Sequence, residues 1–239
     1  LAAAGKTPFT HCHAIFGIGR AYNQIRQNVA YDRLNVKMVL CNSGMLWGFI
    51  GASHQPVEDI AALRVIPHLM LVSAAYEFKG PVAIRLSITP IPTLYKDEYP
   101  FELGKAVTLT DGQDATIVAT GPMVFESLKA ADALAKEGIH VRLLDMHTIK
   151  PLDDEAVIKA ANETGAIVTV EDSSVIGGLG GAISELIVGN SLVPVKTIGI
   201  KDRFGQSATI EELKQEYEIS STDIAKAVKQ VMGRKQSTR

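Results

Sequence analysis

The feature that most constrains the fold is the alternation of short apolar segments with amphipathic helices through the second half of the chain. Strands are predicted at 115–120, 139–144, 166–170 and 195–200, and helices between them and at 222–232. Neighbouring parallel strands need a crossover of a dozen or more residues, usually a helix, and the spacing here provides one. The pattern therefore predicts an α/β domain with a mostly parallel sheet.

The ends of these helices carry their own signals. The helix after Gly121 has Val124, Leu128 and Ala131 on one face at a spacing of three to four residues. Gly138 is typical of a helix C-terminus, and Asp153 is a good N-cap for the next helix.

The first half shows the same α/β pattern less regularly. Helices are predicted at 19–30 and 57–64, and strands at 36–40, 69–72 and 82–86. Only residues 73–81 separate the last two strands, which is shorter than a parallel crossover. Three alternatives follow: the strands pair in antiparallel fashion, a helical segment has been lost, or part of the segment was not observed.

A proline-containing stretch separates the two halves. Prolines occur at 90, 92 and 100, as expected for a linker. We therefore predict two α/β domains, at 1–100 and 101–239.

Composition excludes several functional classes. The 239 residues carry a net charge of −2, so the chain has no electrostatic means of holding nucleic acid or an anionic membrane surface. No apolar run reaches the roughly 18 residues needed to span a bilayer. Cys12 and Cys41 fit no metal spacing, and two reduced thiols are favoured over a disulfide.

His54 stands in a loop of small residues before a predicted helix. A neutral imidazole near a helix N-terminus could exchange protons with a bound substrate near pH 7. The alternative is that His54 caps the helix or fills a polar gap, and spacing alone favours this alternative.

Two loops after strands of the second half are further candidates. The glycine-rich segment 176–181 could cradle a phosphate, but a turn that lets helix and strand pack closely is favoured. The polar segment 201–205 follows a strand, where α/β folds place binding sites. A structural pair between Asp202 and Arg203 explains it equally well.

Aromatic residues and histidines near the N-terminus give weaker indications. Phe9, Phe16 and Trp47 could stack on a flat ring, although a role in the core is favoured. His11, Cys12 and His13 do not predict a zinc site, because three consecutive strand residues cannot all face one ion.

Longer motifs add a resemblance to a known family. Segments 16–26 (FGIGRAYNQIR), 51–55 (GASHQ) and 64–67 (RVIP) resemble the pyrimidine-binding domain of transketolases. Segments 145–151 (DMHTIKP), 177–180 (GGLG) and 202–205 (DRFG) resemble the transketolase C-terminal domain. The likeness covers nearly the whole chain. The chain as a whole resembles the second subunit of a split-gene transketolase.

The resemblance implies a thiamine diphosphate enzyme that transfers a two-carbon ketol unit between sugar phosphates, as in the pentose phosphate pathway. It implies a cytoplasmic α2β2 assembly, with this chain dimerising and a partner subunit supplying the diphosphate-binding domain with its Mg²⁺ or Ca²⁺. It also implies that the pyrimidine-binding domain is incomplete at its N-terminus, since the activating glutamate of the family falls before Leu1.

Two residues match functional positions of the family. Phe16 matches the aromatic residue that stacks on the aminopyrimidine, and His54 matches the histidine that assists proton transfer. Other positions depart from the family pattern. The substrate histidine falls on Asn42, the acidic pair on Phe49 and Ile50, the phosphate-binding arginine on Ile88, and a second pocket aromatic on His13.

These departures leave two alternatives to a working transketolase subunit. One is a catalytically degenerate paralogue with a structural or regulatory role. The other is a relative that acts on an unphosphorylated or apolar substrate, which would fit Ile50 and Ile88 because neither side chain binds a phosphate or a sugar hydroxyl.

Overall fold

The computed structural model describes residues 1–72, 78–88, 90–95 and 101–237, with side chains described to residue 235. The strands are β1 (Phe9–His13), β2 (Lys37–Cys41), β3 (Met70–Val72), β4 (Val82–Leu86), β5 (Val107–Thr110), β6 (Ala115–Ala119), β7 (Val141–Asp145), β8 (Thr148–Lys150), β9 (Ile167–Ser174) and β10 (Val195–Ile200). The α-helices are α1 (Ala14–Gln24), α2 (Asp59–Arg64), α3 (Met123–Ala135), α4 (Asp154–Thr164), α5 (Leu179–Asn190), α6 (Ile210–Glu216) and α7 (Ser221–Ser237).

The first sheet has the strand order β1-β2-β4-β3-β8. Its first four strands are parallel, and β3 lies directly beside β4 with Met70 opposite Val82. The antiparallel alternative for these two strands is therefore wrong. The short connection between them includes residues 73–77, which lie outside the described residues.

The second sheet has the order β10-β9-β6-β7-β5. Its first four strands are parallel and β5 is an antiparallel edge strand. This confirms the prediction of two α/β units with mostly parallel sheets. None of the helices in the described ranges is long and apolar enough to cross a membrane.

Of the two helix-end signals in the second half, Asp153 is confirmed, whereas α3 ends three residues before Gly138 with Lys136 as its C-cap. The Asp153 side chain accepts a hydrogen bond from the backbone N–H of Ala156 and caps α4. Helix α3 ends at Ala135, and Gly138 adopts a φ of 79° in the turn that follows. That left-handed conformation favours glycine.

The first half differs more from prediction. Helix α1 begins at Ala14, five residues before the predicted start at residue 19, and continues beyond Gln24 as a π-helix over Ile25–Tyr31. Strand β1 was not predicted, because its polar residues hide the apolar pattern that identifies a buried strand.

The two domains share structure rather than merely touching. Strand β8, which follows β7 of the second sheet, extends the first sheet by pairing antiparallel with β3. In return Met45 and Leu46, from the loop after β2, are fully buried in the core of the second domain. Each domain thus completes part of the other.

Candidate cofactor and substrate site

Four rings meet where β1 and β2 end, and we call them the ring cluster: His13, Phe16, Trp47 and His54. The rings of His13 and Trp47 are stacked with centroids 5.0 Å apart. His54 meets Phe16 edge-on at 5.0 Å and Trp47 at 5.7 Å. The two residues singled out by resemblance, Phe16 and His54, therefore lie in contact.

The backbone explains this convergence. His13 ends β1 and precedes α1, and Phe16 lies in the first turn of that helix. Trp47 and His54 come from the loop between β2 and α2, residues 42–57, which we call the pocket loop. Phe16 and Trp47 are half-buried and Phe9 is 53% exposed, so the interpretation of these three as core residues was wrong.

His54 is held by its neighbour rather than by a helix. Its Nδ1 lies 2.9 Å from Ser53 Oγ. The N-cap position of α2 is Glu58, four residues further on, so His54 does not cap that helix. Because a serine hydroxyl can donate or accept, either imidazole tautomer is supported at Nδ1, and Nε2 remains for proton exchange.

The second domain shapes the pocket loop. Hydrogen bonds that join the two among the described residues include Met45 N to Asp172 O (2.9 Å), Ala208 N to Gly48 O (3.1 Å), Ser174 N to Val57 O (2.6 Å) and Gln55 Nε2 to Gln206 O (3.1 Å). A Cβ at Gly51 would lie 2.5 Å from Ser207 Oγ, and the φ of Gly51 is 74°. The glycine therefore allows both the turn and the close approach of the second domain.

Beneath the pocket loop lies a buried ionic group that we call the seam cluster: Asp59, Arg85 and Asp172. Arg85 Nε donates to Asp59 Oδ2 at 2.9 Å, and Arg85 Nη2 donates to Asp172 Oδ1 at 3.4 Å. All three residues are at most 5% exposed. Asp59 Oδ2 also accepts the backbone N–H of Gly44 at 3.2 Å, which fixes the start of the pocket loop.

Asp172 carries the least compensated charge of the seam cluster. Its Oδ2 is buried with no hydrogen-bond partner among the described residues. Burial raises the pKa of Asp172 to about 6, although Arg85 opposes the shift. A Cβ at Gly44 would lie 2.1 Å from that oxygen, so glycine is needed there. The seam cluster was missed from sequence, where an arginine inside a buried strand was the only available signal.

The glycine-rich loop of the second domain is already filled. Glu171, the fifth of the eight residues of β9, accepts the backbone N–H groups of Leu179 and Gly180, each at 2.8 Å. These are the amides that a phosphate would need. The favoured interpretation of segment 176–181 as a packing turn fits this geometry. Burial raises the pKa of Glu171 to about 7.

The segment 201–205 contains an ion pair different from the one suggested. Arg203 pairs with Glu216 of α6 rather than with Asp202, and its guanidinium lies 4.7 Å from the centre of the Tyr217 ring. The contact ties the loop to α6. Among the described residues no group of three or more histidines, cysteines or carboxylates could hold a metal ion.

Four of the positions that depart from the family motif carry neutral side chains, and three of these are exposed. Phe49 is 81% exposed, Ile50 40% and Ile88 50%. Asn42 is buried, with a φ of 58°, and its Nδ2 contacts Nδ1 of His13. The side chains at these positions offer van der Waals contact and no formal charge.

Comparisons with known proteins agree with this architecture. The family model for the transketolase pyrimidine-binding domain matches residues 1–90, and the model for the transketolase C-terminal domain matches residues 104–224. The chain is 40% identical to a 6-deoxy-6-sulfo-D-fructose transketolase subunit of Clostridium sp. (strain MSTE9), over 98% of this chain and 77% of that protein. It is 38% identical to an apulose-4-phosphate transketolase subunit of Phocaeicola vulgatus, over 95% and 76% respectively.

A solved structure described as a split-gene transketolase, inactive β4 tetramer, superposes with a TM-score of 0.90 at 38% identity. The match covers 97% of this chain and 78% of that one. With both domain models matched and relatives of this identity, the chain belongs to the transketolase family, whose members depend on thiamine diphosphate.

Proposed function

We propose that this chain provides the pyrimidine side of a thiamine diphosphate site and, with a diphosphate-binding partner subunit, transfers a two-carbon ketol unit between sugar phosphates. The observation that carries the proposal is the convergence of His54 and Phe16, with centroids 5.0 Å apart, at the carboxyl ends of parallel strands. Ligand sites of α/β folds lie at this edge of the sheet.

The ring cluster fits a flat heterocycle. Phe16 and Trp47 are half-buried, so each offers part of a ring surface while the rest is fixed by packing. An aromatic contact of this kind contributes about 1 kcal/mol beyond the burial of area. Thiamine diphosphate, when bound, supplies the carbanion that accepts the ketol unit.

His54 is the residue of this chain suited to move a proton. Ser53 supports its Nδ1 in either tautomer, so Nε2 can give or take a proton at a substrate hydroxyl. The imidazole of His54 is half-buried, and its edge-on contacts with the rings of Phe16 and Trp47 hold its orientation.

The remainder of the site belongs to a partner in this proposal. The glycine-rich loop of the second domain is filled by Glu171. A diphosphate and its Mg²⁺ or Ca²⁺ need oxygen ligands and amide donors, which a partner subunit would supply. We propose an α2β2 assembly of this chain with a diphosphate-binding transketolase subunit. The relatives named as transketolase subunits support such pairing.

The test is ketol transfer by this chain co-expressed with a diphosphate-binding transketolase subunit. We expect His54→Ala to lower turnover between ketose and aldose phosphates on the order of 10²-fold, the usual worth of a positioned acid–base group. The melting temperature should change little. His140→Ala, at an exposed histidine of the second domain, is the matched control and should leave turnover unchanged.

A second candidate is a catalytically degenerate subunit with a structural or regulatory role. The neutral residues Asn42, Ile50 and Ile88, at positions where the resemblance implies polar or charged substrate contacts, favour it. Assembly with the partner but no turnover in the wild-type pair would support this candidate. Unchanged turnover in His54→Ala would contradict the catalytic role of His54.

A further inference from the structure

A thiol of β2 lies against an imidazole of the edge strand β1. Cys41 Sγ lies 3.0 Å from His11 Nε2. His11 is exposed and Cys41 is half-buried, so a small reagent can reach the pair. A nucleophile within hydrogen-bond reach of a base is the arrangement that activates cysteine, because the thiolate is the reactive form.

The second cysteine provides a contrast within the same strand pair. Cys12 lies opposite Leu40 and His13 lies opposite Cys41. Because successive side chains of a strand point to opposite faces, Cys12 points to the core that packs against α1, while Cys41 lies on the opposite face of the sheet. Cys12 packs against that core, and burial raises the pKa of its thiol. Both cysteines are free.

Cys41 also lies beside the ring cluster. Its register partner is His13, on the neighbouring strand about 4.8 Å away. The next residue, Asn42, contacts His13 through its side chain, and His13 stacks on Trp47. A group attached to Cys41 Sγ is therefore placed against the His13 edge of the ring cluster.

We propose that Cys41, with His11 as its base, is a site of thiol–disulfide exchange with low-molecular-weight disulfides, and that the adduct covers the ring cluster. His11 takes the thiol proton, and the Cys41 thiolate attacks one sulfur of the disulfide. The Cys41–sulfur bond forms as the disulfide bond breaks, and the second sulfur leaves as a thiolate that recovers the proton. The disulfide is the oxidant, and the protein thiol is oxidised as the leaving half is reduced.

The first test follows the reaction of the folded full-length chain with 5,5′-dithiobis(2-nitrobenzoate), measured by release of the coloured thiolate and by peptide mass spectrometry. We expect one fast equivalent at Cys41, retained in Cys12→Ser and lost in Cys41→Ser. His11→Asn keeps a polar side chain but removes the base, and should slow the fast phase by about tenfold or more. His140→Asn is the control. Circular dichroism checks that each variant is folded.

The second test uses Trp47, the single tryptophan of the chain, as a reporter. Oxidised glutathione should add to Cys41 and change the Trp47 emission in the wild type, reversibly on reduction, but not in Cys41→Ser. Neither test requires turnover, so the outcome is independent of the proposed function. Equal reaction rates at Cys41 and Cys12, or an unaltered rate in His11→Asn, would overturn the proposal that His11 activates the thiol of Cys41. An adduct that leaves Trp47 emission unchanged would overturn coverage of the ring cluster.

Discussion

The two domains each place a loop and a helix start at the carboxyl edge of a parallel sheet, but they use this edge in opposite ways. In the second domain Glu171 occupies the amides at the start of α5 and is fully buried. In the first domain the pocket loop leaves His54 and Trp47 half-exposed beside Phe16. The carboxyl edge of a mostly parallel sheet is therefore closed in one domain and accessible in the other.

The difference shows that a glycine-rich loop is a poor guide to ligand binding when its amides are already paired. Segment 176–181 has the composition of a phosphate loop, yet a carboxylate of the same chain takes the place of the anion. The pocket loop has fewer glycines and stays open because the seam cluster and the second domain support it from below.

The largest expected effect comes from breaking the support of the pocket loop. Arg85→Met leaves the buried carboxylates of Asp59 and Asp172 without their cation, and the free energy of unfolding should fall by about 3–5 kcal/mol. Urea unfolding measures the loss.

Arg64→Met is the matched control for that substitution. Arg64 also joins the two domains, but its partner Glu185 has a side chain 68% exposed. The ion pair is therefore worth about 1 kcal/mol or less. An equal loss in the two variants would show that the seam cluster is not the main support.

A smaller effect is expected at the closed end of the second domain. There the buried Glu171 should make the free energy of unfolding depend on pH. Burial raises the pKa of Glu171 from 4.5 to about 7, so the folded state binds this proton more tightly than the unfolded state does. Stability from this group is fully present below pH 4.5 and is lost as pH rises through 7, by up to about 3 kcal/mol.

Glu171→Gln removes that titration. Between pH 5 and pH 8 the wild type should therefore lose stability relative to this variant, as measured by denaturant unfolding at each pH. Burial also raises the pKa of Asp172 and of Asp145 to about 6, and these contributions cancel in the difference because both proteins carry them. Glu155→Gln, at a side chain that is 88% exposed, is the control. Parallel pH profiles for the wild type and Glu171→Gln would contradict the assignment.

The smallest effect concerns two phenylalanines, one in each domain. Phe16 has the Arg20 guanidinium 4.9 Å from its ring centre, and Phe125 of α3 has the Lys129 ammonium at 4.5 Å. Both are half-buried. If the first domain alone provides the ring site, Phe16→Leu should weaken thiamine diphosphate binding to the assembled pair by roughly fivefold, about 1 kcal/mol. Phe125→Leu should not. Titration calorimetry measures both, and equal affinities would count against the ring cluster as the pyrimidine site.

Local sequence signals predicted much of the second domain. Asp153 acts as the N-cap that its position before α4 indicates, because an N-cap bonds to an amide three residues away and needs no distant partner. Strands β6 and β9 were found because burial on both faces makes Ala115–Ala119 and the first half of Ile167–Ser174 short apolar runs. Strand β8 was missed because it exists only where β3 offers it a partner.

The candidate site was predicted only as separate residues. Phe16 and His54 were identified by their motifs, but the contact between their rings depends on β1 lying beside β2 and on the fold of the pocket loop. Trp47 was assigned to the core because an aromatic residue gives no local sign of which side it faces.

By itself the sequence determined the α/β alternation, the N-cap of α4 and the family, because each depends on residue types within a few positions or on an extended motif. The tertiary structure decided that the pocket loop is accessible to a ligand and that segment 176–181 is not. Glu171 lies eight and nine residues from the amides that it fills, and Asp172 lies 87 residues from the arginine that it meets. Electrostatic pairing and burial act through space, so Asp172 and Arg85 become neighbours only after both sheets have formed and packed together.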